Sequence, residues 1–168
     1  RLHMEEAKIK EMVDYAAEIC GLTECMDKHP FDLTPAQKKF CAIASIISMD
    51  PEVFILDEPT CGQDIRGSRK LAALVETLRQ KGKLCVTISH DMKFVANNFR
   101  RLIVLCNGKV ILDAPTEEAF MQVDKLATSY VSPPPLTRVG QAVGFQRAVF
   151  TIPDFIKECQ LQQQRLTE

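Results

Sequence analysis

The most constraining feature of this sequence is an apolar run, Val53-Phe54-Ile55-Leu56, that ends in two acids, Asp57 and Glu58. Four apolar residues are too few for a helix, and they predict a strand that is buried on both faces. An ionised carboxylate is costly to bury unless a partner compensates its charge. At the carboxyl end of a parallel strand, a metal-bound phosphate can be that partner. The alternative is an ordinary strand that runs into an acidic turn.

Charge and cysteine spacing limit the classes of function. The 168 residues include 21 basic and 22 acidic side chains, so the net charge is −1. This balance gives no electrostatic case for nucleic acid as a partner. The seven cysteines lie at irregular spacings without a Cys-x-x-Cys pair. They predict buried free thiols in a reducing compartment rather than disulfides or a zinc site.

Helical patterns alternate with short apolar strands along the first half of the chain, at about 4–20, 34–49, 53–56, 66–81 and 84–88. The second helix has a strong start, because Thr34 is a good N-cap, Pro35 suits the first helical position and Gln37 completes a capping box. Asn107-Gly108 joins two further strands in a predicted hairpin. Strand, helix, strand in this order predicts an α/β fold with a parallel sheet and right-handed crossovers.

The composition changes after about residue 120. Pro133-Pro134-Pro135 predicts a stiff, extended break in the chain. Short amphipathic segments follow at about 136–144 and 153–163. These features indicate a small helical appendage at the C-terminal end of the sequence.

Four motifs in register resemble those of the nucleotide-binding subunit of ATP-binding cassette (ABC) transporters. They are LTPAQ (33–37) at the place of the family's LSGGQ signature, FILDEPT (54–60) as its Walker B motif, GQD (62–64) as its D-loop, and His90 as its switch histidine. Their order and spacing fit over residues 20–120. The stretch from Tyr130 to Arg138 more weakly resembles the extension of the energy-coupling-factor branch. Members of that branch power the uptake of vitamins, cobalt or nickel.

This resemblance implies a fold and a division of the chain. The fold would be α/β: the C-terminal part of a P-loop NTPase-type (ABC ATPase) parallel sheet with a helical subdomain, plus a small helical C-terminal extension. Residues 1–50 would be part of the helical (signature) subdomain, 51–120 the C-terminal part of the ATPase core, and 121–168 the extension. Since the sequence opens in mid-helix pattern and without Met, we expect further residues upstream.

The resemblance also assigns roles to individual residues. Asp57 would hold Mg²⁺, Glu58 would orient the attacking water as general base, and His90 would reach the γ-phosphate of ATP. Asp64 would face a partner subunit. The alternatives are that His90 only caps a helix and that Asp64 is a helix N-cap, which does not exclude the first role.

The signature departs from the family's pattern. There, two glycines let backbone N–H groups approach the γ-phosphate held by the opposite subunit. Here those positions are Pro35 and Ala36, and proline has no N–H to donate. Thr34 keeps the hydroxyl of the family's serine, Gln37 is retained, and Phe40 replaces the usual arginine. Residues 34–37 therefore form either a weakened nucleotide contact on the partner's side or merely a capped helix.

The motifs favour one function and leave two alternatives. The expected protein is an ATP-hydrolysing subunit, present here in part, of an ABC-type importer for a vitamin or metal ion. It would be cytoplasmic, peripheral on the inner face of the cell membrane, and paired with a second ABC ATPase subunit and a transmembrane subunit. One alternative is a non-catalytic, degenerate half that pairs with an active subunit. The other is a soluble, non-transport ABC protein, against which the near-neutral charge and the extension count.

Residues 1–168 by themselves should not bind Mg-ATP detectably. No G-x-x-x-x-G-K-[ST] phosphate-binding loop occurs among them, and the backbone N–H groups of that loop are what cradle the phosphates. Isothermal titration calorimetry measures this directly. Binding of Mg-ATP in the micromolar range would contradict the prediction.

Overall fold

A computed structural model describes residues 5–167, and the chain forms two compact units, residues 1–88 and 89–168. The first unit contains α1 (Glu6–Ile19), α2 (Pro35–Ile47), β1 (Val53–Asp57), α3 (Ile65–Gln80) and β2 (Leu84–Ile88), with short 3₁₀ turns at Thr23–Cys25 and Pro30–Asp32. The second contains α4 (Met92–Asn98), β3 (Arg101–Cys106), β4 (Lys109–Pro115), α5 (Thr116–Met121), α6 (Val123–Ala127), α7 (Pro135–Ala142) and α8 (Ile152–Thr167). The α/β fold class is confirmed.

The first helix ends at a glycine in a left-handed conformation. Gly21 has φ +57°, and the Leu22 N–H donates to the Ala17 carbonyl at 2.8 Å, which closes the last turn. The start that the sequence predicts for this helix, at about residue 4, lies outside the described residues. The second helix ends at Ile47, two residues before the predicted end at Met49.

The two strands of the first unit pair in parallel, as predicted. Val53 lies opposite Leu84, and Asp57 lies opposite Ile88. The carboxyl ends of both strands therefore meet at one edge of the sheet. This edge carries the two acids that follow the apolar run.

The prediction that β1 is buried on both faces is wrong for the described residues. Phe54 is only 3% exposed, and it lines one hollow with Met12 of α1, Ile47 of α2 and Leu78 of α3. Ile55, which points to the other face, is 68% exposed. The neighbouring outward positions are also exposed, namely Val53, Leu84, Val86 and Ile88. The helices of this unit cover only one face of its two-stranded sheet.

The second unit is built on an antiparallel hairpin. Asn107 and Gly108 at its tip have φ +49° and +73°, and a type I′ turn requires positive φ at both positions. Arg101 of β3 bonds the Asp113 carboxylate of β4 through two N–H groups, at 2.8 and 2.7 Å. These bonds and the guanidinium charge hold the pKa of Asp113 below its ordinary value. The hairpin predicted from Asn107-Gly108 is confirmed.

The second unit contains a hydrophobic core that joins its helices to the hairpin. It is formed by Val95, Ala96, Val104, Leu112, Ala119, Phe120, Leu126 and Ala148. Phe120 is fully buried and meets the ring of Phe150 edge-on, with centroids 5.8 Å apart. The predicted amphipathic segments of the appendage correspond to α7 and α8. The three-part functional division of the chain stays a prediction.

The structure shows the state of the cysteine side chains. All seven cysteines are free, but the prediction that they are buried is wrong for six of them, because only Cys20 is buried. Cys20 is buried, and this burial raises the pKa of its thiol to about 11.

No helix between residues 5 and 167 combines the length and the apolar character that crossing a bilayer requires.

Leu71→Ala should destabilise the first unit far more than Ile65→Ala on the same helix. Leu71 is 1% exposed and Ile65 is 72% exposed, so only the first change leaves a cavity. We expect the free energy of unfolding to fall by about 2–5 kcal/mol for Leu71→Ala and by less than about 0.5 kcal/mol for Ile65→Ala. Urea unfolding followed by circular dichroism measures both. Equal losses would contradict the core assignment.

Candidate functional site

The two acids occupy different backbone conformations at the end of β1. Asp57 is the last strand residue and is exposed, whereas Glu58 is half-buried. Glu58 has φ +42°, a left-handed conformation that costs a residue with a Cβ energy. Its N–H donates to the Ile88 carbonyl of β2 at 2.9 Å.

A compact turn follows Glu58 and leads into α3. The Cys61 N–H donates to the Glu58 carbonyl at 3.1 Å, and the Gln63 N–H donates to the Thr60 carbonyl at 3.0 Å. Gly62 is left-handed, with φ +69°, which glycine adopts at little cost. The strand, the acids and the start of α3 therefore form one continuous, hydrogen-bonded segment.

Asp64 is the N-cap of α3. Its Oδ1 accepts a hydrogen bond from the Gly67 N–H at 2.7 Å, so the helix-cap alternative proposed from the sequence holds. The neighbouring Gln63 packs closely over this turn, because a Cβ at Gly67 would lie 2.1 Å from Gln63 Oε1. Contact of Asp64 with a partner subunit stays a prediction.

The signature residues form the capping box that the sequence predicts. The Thr34 N–H donates to Gln37 Oε1 at 2.9 Å, and the Gln37 N–H donates to Thr34 Oγ1 at 3.3 Å. Pro35 has no N–H. Of residues 34–37, Ala36 is thus the one that has an N–H group not used by the capping box. Gln37 is held further, since its Nε2 donates to Cys25 Sγ at 3.1 Å.

A lysine that the sequence analysis did not single out joins the signature helix to the acidic turn. Lys39 Nζ donates to the Cys61 carbonyl at 2.8 Å and to the Glu58 carbonyl at 3.3 Å. Sequence patterns gave no signal for this contact, because a lysine on a helix ordinarily extends into solvent. These two hydrogen bonds connect α2 directly to the turn that follows β1.

His90 lies in the second unit, two residues after β2 ends. It is exposed, and its carbonyl accepts from the Met92 N–H at 3.1 Å. The N-cap of α4 is the next residue, Asp91, whose Oδ1 accepts from the Phe94 N–H at 2.9 Å. The pairing of His90 with Glu58 in one site stays a prediction.

A carboxylate at the end of β1 has the chemistry that the Mg²⁺ of a nucleotide complex requires. Between residues 5 and 167, no group of three or more His, Cys, Asp and Glu side chains is placed to cage a metal ion. Mg²⁺ in nucleotide sites needs only one or two carboxylates, because phosphates and waters complete its shell. The exposed carboxylate of Asp57 supplies such an oxygen. Residues 1–168 contain no G-x-x-x-x-G-K-[ST] phosphate-binding loop.

Comparison with known proteins gives consistent relatives, although no protein-family model matches the chain. An ABC transporter ATP-binding protein of Methanosarcina acetivorans is 38% identical over 133 residues, which are 79% of this chain and 22% of that protein. The energy-coupling factor transporter ATP-binding protein EcfA2 of Caldanaerobacter subterraneus is 34% identical over 157 residues, or 92% of this chain and 54% of that protein.

A solved structure agrees with these relatives. CbiO1 from Clostridium perfringens, part of the ABC transporter complex CbiONQ, superposes with a TM-score of 0.66 at 30% identity. The match covers 86% of this chain and 57% of CbiO1. The chain thus spans about a quarter to about half of the length of these proteins. It is a homologue of ABC transporter ATP-binding proteins, the energy-coupling-factor ATPases among them.

Proposed function

We propose that this chain is part of the ATP-hydrolysing subunit of an ABC-type importer, which couples ATP binding and hydrolysis to uptake of a vitamin or metal ion. One observation carries the proposal: Glu58 directly follows the strand residue Asp57 and is held in a left-handed conformation by bonds at both its N–H and its carbonyl. Strain of this kind persists where the surrounding structure fixes it, often at active sites. The EcfA2 and CbiO1 relatives support the importer class.

The two acids would divide the chemistry between them. Bound Mg-ATP would supply the phosphoryl group and the metal that neutralises its charge. Asp57 would hold the Mg²⁺ through its carboxylate. The Glu58 carboxylate would accept the proton of the attacking water, and its fixed backbone would keep that carboxylate aimed. His90 would orient the γ-phosphate side of the site.

The partners and the location follow from the same proposal. The chain would pair with a second ABC ATPase subunit and dock on a transmembrane subunit at the inner face of the cell membrane. The support is that CbiO1 is part of a named transporter complex. Near-neutral charge gives no case for a nucleic acid partner.

The capping box would make this signature a poor phosphate contact. A phosphate at a helix N-terminus is bound by N–H groups of the first turn. In this chain Thr34 and Gln37 already use theirs within the box, and Pro35 has none. The site of the partner subunit that uses this signature would therefore be weaker than the site built on Glu58.

The same observation favours a second candidate, the degenerate half that pairs with an active subunit. In that case the signature would bind phosphate poorly, because its N–H groups are bonded within the capping box, and the acidic site would not hydrolyse ATP. The two candidates differ in whether Glu58 contributes to hydrolysis in the assembled transporter.

Glu58→Gln in the assembled transporter should abolish hydrolysis at its own site and leave nucleotide binding intact. The amide keeps the size of the side chain but cannot accept the proton, and general-base catalysis contributes roughly 10²–10⁴-fold. Single-turnover hydrolysis with Mg-ATP measures the step, and His90→Ala should impair it too. Glu52→Gln, an exposed acid before β1, is the matched control. Full activity of Glu58→Gln would favour the degenerate half.

Restoring the signature with Pro35→Gly and Ala36→Gly together should raise hydrolysis only at the composite site that uses it. One donor to a developing charge is worth roughly 2.7–4 kcal/mol, and glycines allow the backbone to approach the phosphate. The measurement is ATP hydrolysed per site, with dimer assembly verified. Pro30→Gly, at the first position of a 3₁₀ turn, is the control. An unchanged rate would mean that Pro35 and Ala36 present the phosphate adequately.

A further inference from the structure

We propose that Lys39 is a positioning residue that sets the backbone of Glu58 and couples it mechanically to the signature helix. The inference rests on the proposed function, in which Glu58 is the general base. Lys39 would hold that base in place and transmit movement of α2 to it. The observation is the pair of bonds from one ammonium to the Glu58 and Cys61 carbonyls.

The geometry makes Lys39 a clamp on the acidic turn. The two carbonyls that it bonds belong to the first and last residues of one turn, which the Cys61 N–H to Glu58 carbonyl bond also closes. An ammonium has three donors, so it can serve both oxygens at once. Bonds from a charged donor are stronger than neutral ones. The clamp therefore fixes the peptide that carries Glu58 more firmly than the backbone bond does alone.

The strain at Glu58 explains why such a clamp is needed. A residue with a Cβ at φ +42° keeps that conformation only where neighbouring contacts over-determine it. Contacts of this kind include the Ile88 carbonyl on its N–H, and the Cys61 N–H and the Lys39 ammonium on its carbonyl. Of these three groups, the lysine is the one that belongs to a helix, α2.

This origin gives the clamp a coupling role. Lys39 lies two residues after Gln37 on α2, so the signature and the clamp belong to one rigid helix. A shift of the α2 N-terminus on engaging the partner's nucleotide would be carried to the Glu58 backbone through Lys39. Coupling of this kind is reciprocal for binding. Each site of the dimer would then sense whether the other is engaged.

The neighbouring lysine provides a matched control. Lys38 Nζ donates to the Phe31 carbonyl at 3.1 Å and lies 5.8 Å from the centre of the Phe31 ring. It carries the same charge on the same helix but contacts a different loop. Lys38→Met and Lys39→Met thus remove the same chemical group, and only the second removes the clamp.

The experiment compares Lys39→Met, Lys39→Arg and Lys38→Met in the assembled transporter. We expect Lys39→Met to lower turnover about tenfold, as for loss of one charge-assisted bond, with the KM for Mg-ATP within about twofold of wild type. Hydrogen exchange of the peptide covering residues 57–64 should become faster. Lys39→Arg should restore both properties, because a guanidinium can bond both carbonyls, and Lys38→Met should match wild type.

Two results would overturn the inference. The first is that Lys39→Met and Lys38→Met have the same turnover and the same exchange in residues 57–64. The second is that exchange rises equally throughout the first unit in Lys39→Met and Arg does not restore it, which would show a general stabilising role. If wild type shows no Glu58-dependent hydrolysis, the proposed function fails by itself. The exchange comparison then still decides: faster exchange confined to 57–64 supports the clamp, and no difference refutes it.

Discussion

The parallel pairing of β1 with β2 is the constraint on which the candidate site depends. It sets Asp57 opposite Ile88, and the next residue, Glu58, then bonds the Ile88 carbonyl through its own N–H. That bond fixes the peptide between Asp57 and Glu58 against β2, and the positive φ of Glu58 then turns the chain away from the sheet. Two adjacent acids thus acquire different surroundings, because one ends the ladder and the other turns out of it.

The start of α2 shows a competition between helix stability and ligand binding. A capping box satisfies the first N–H groups of a helix and stabilises it by on the order of 1 kcal/mol. Those same N–H groups are what an anion at a helix N-terminus requires. Thr34 and Gln37 resolve the competition in favour of the helix, and Pro35 reinforces that choice by its fixed φ. A firm signature helix is also what a clamp such as Lys39 needs to transmit a displacement.

The exposed face of the first sheet shows a limit of predicting burial from an apolar run of residues. Val53-Phe54-Ile55-Leu56 has the continuous apolar character of a strand covered on both sides, yet Ile55 is 68% exposed. Strand geometry alternates the side chains, and the helices of this unit lie over the Phe54 face alone. The chain spans about half the length of its energy-coupling-factor relative. The apolar pattern of β1 predicts contacts on both faces of the sheet, and the described residues supply them on one face only.

The sequence by itself determined the features that depend on short-range chemistry. The capping box at Thr34, the glycine end of α1, the Asn107-Gly108 turn and the Asp64 cap each follow from residues a few positions apart, whose hydrogen bonds close locally. The order of motifs also identified ABC transporter ATP-binding proteins as homologues, through a match of residue types that requires no geometry. Only the tertiary structure decided the backbone conformation of Glu58 and the role of Lys39. Both depend on contacts between segments distant in the chain, 19 and 22 residues apart for the lysine. Residue identity cannot specify such contacts, because a helical lysine forms them only where the fold brings carbonyl groups within reach.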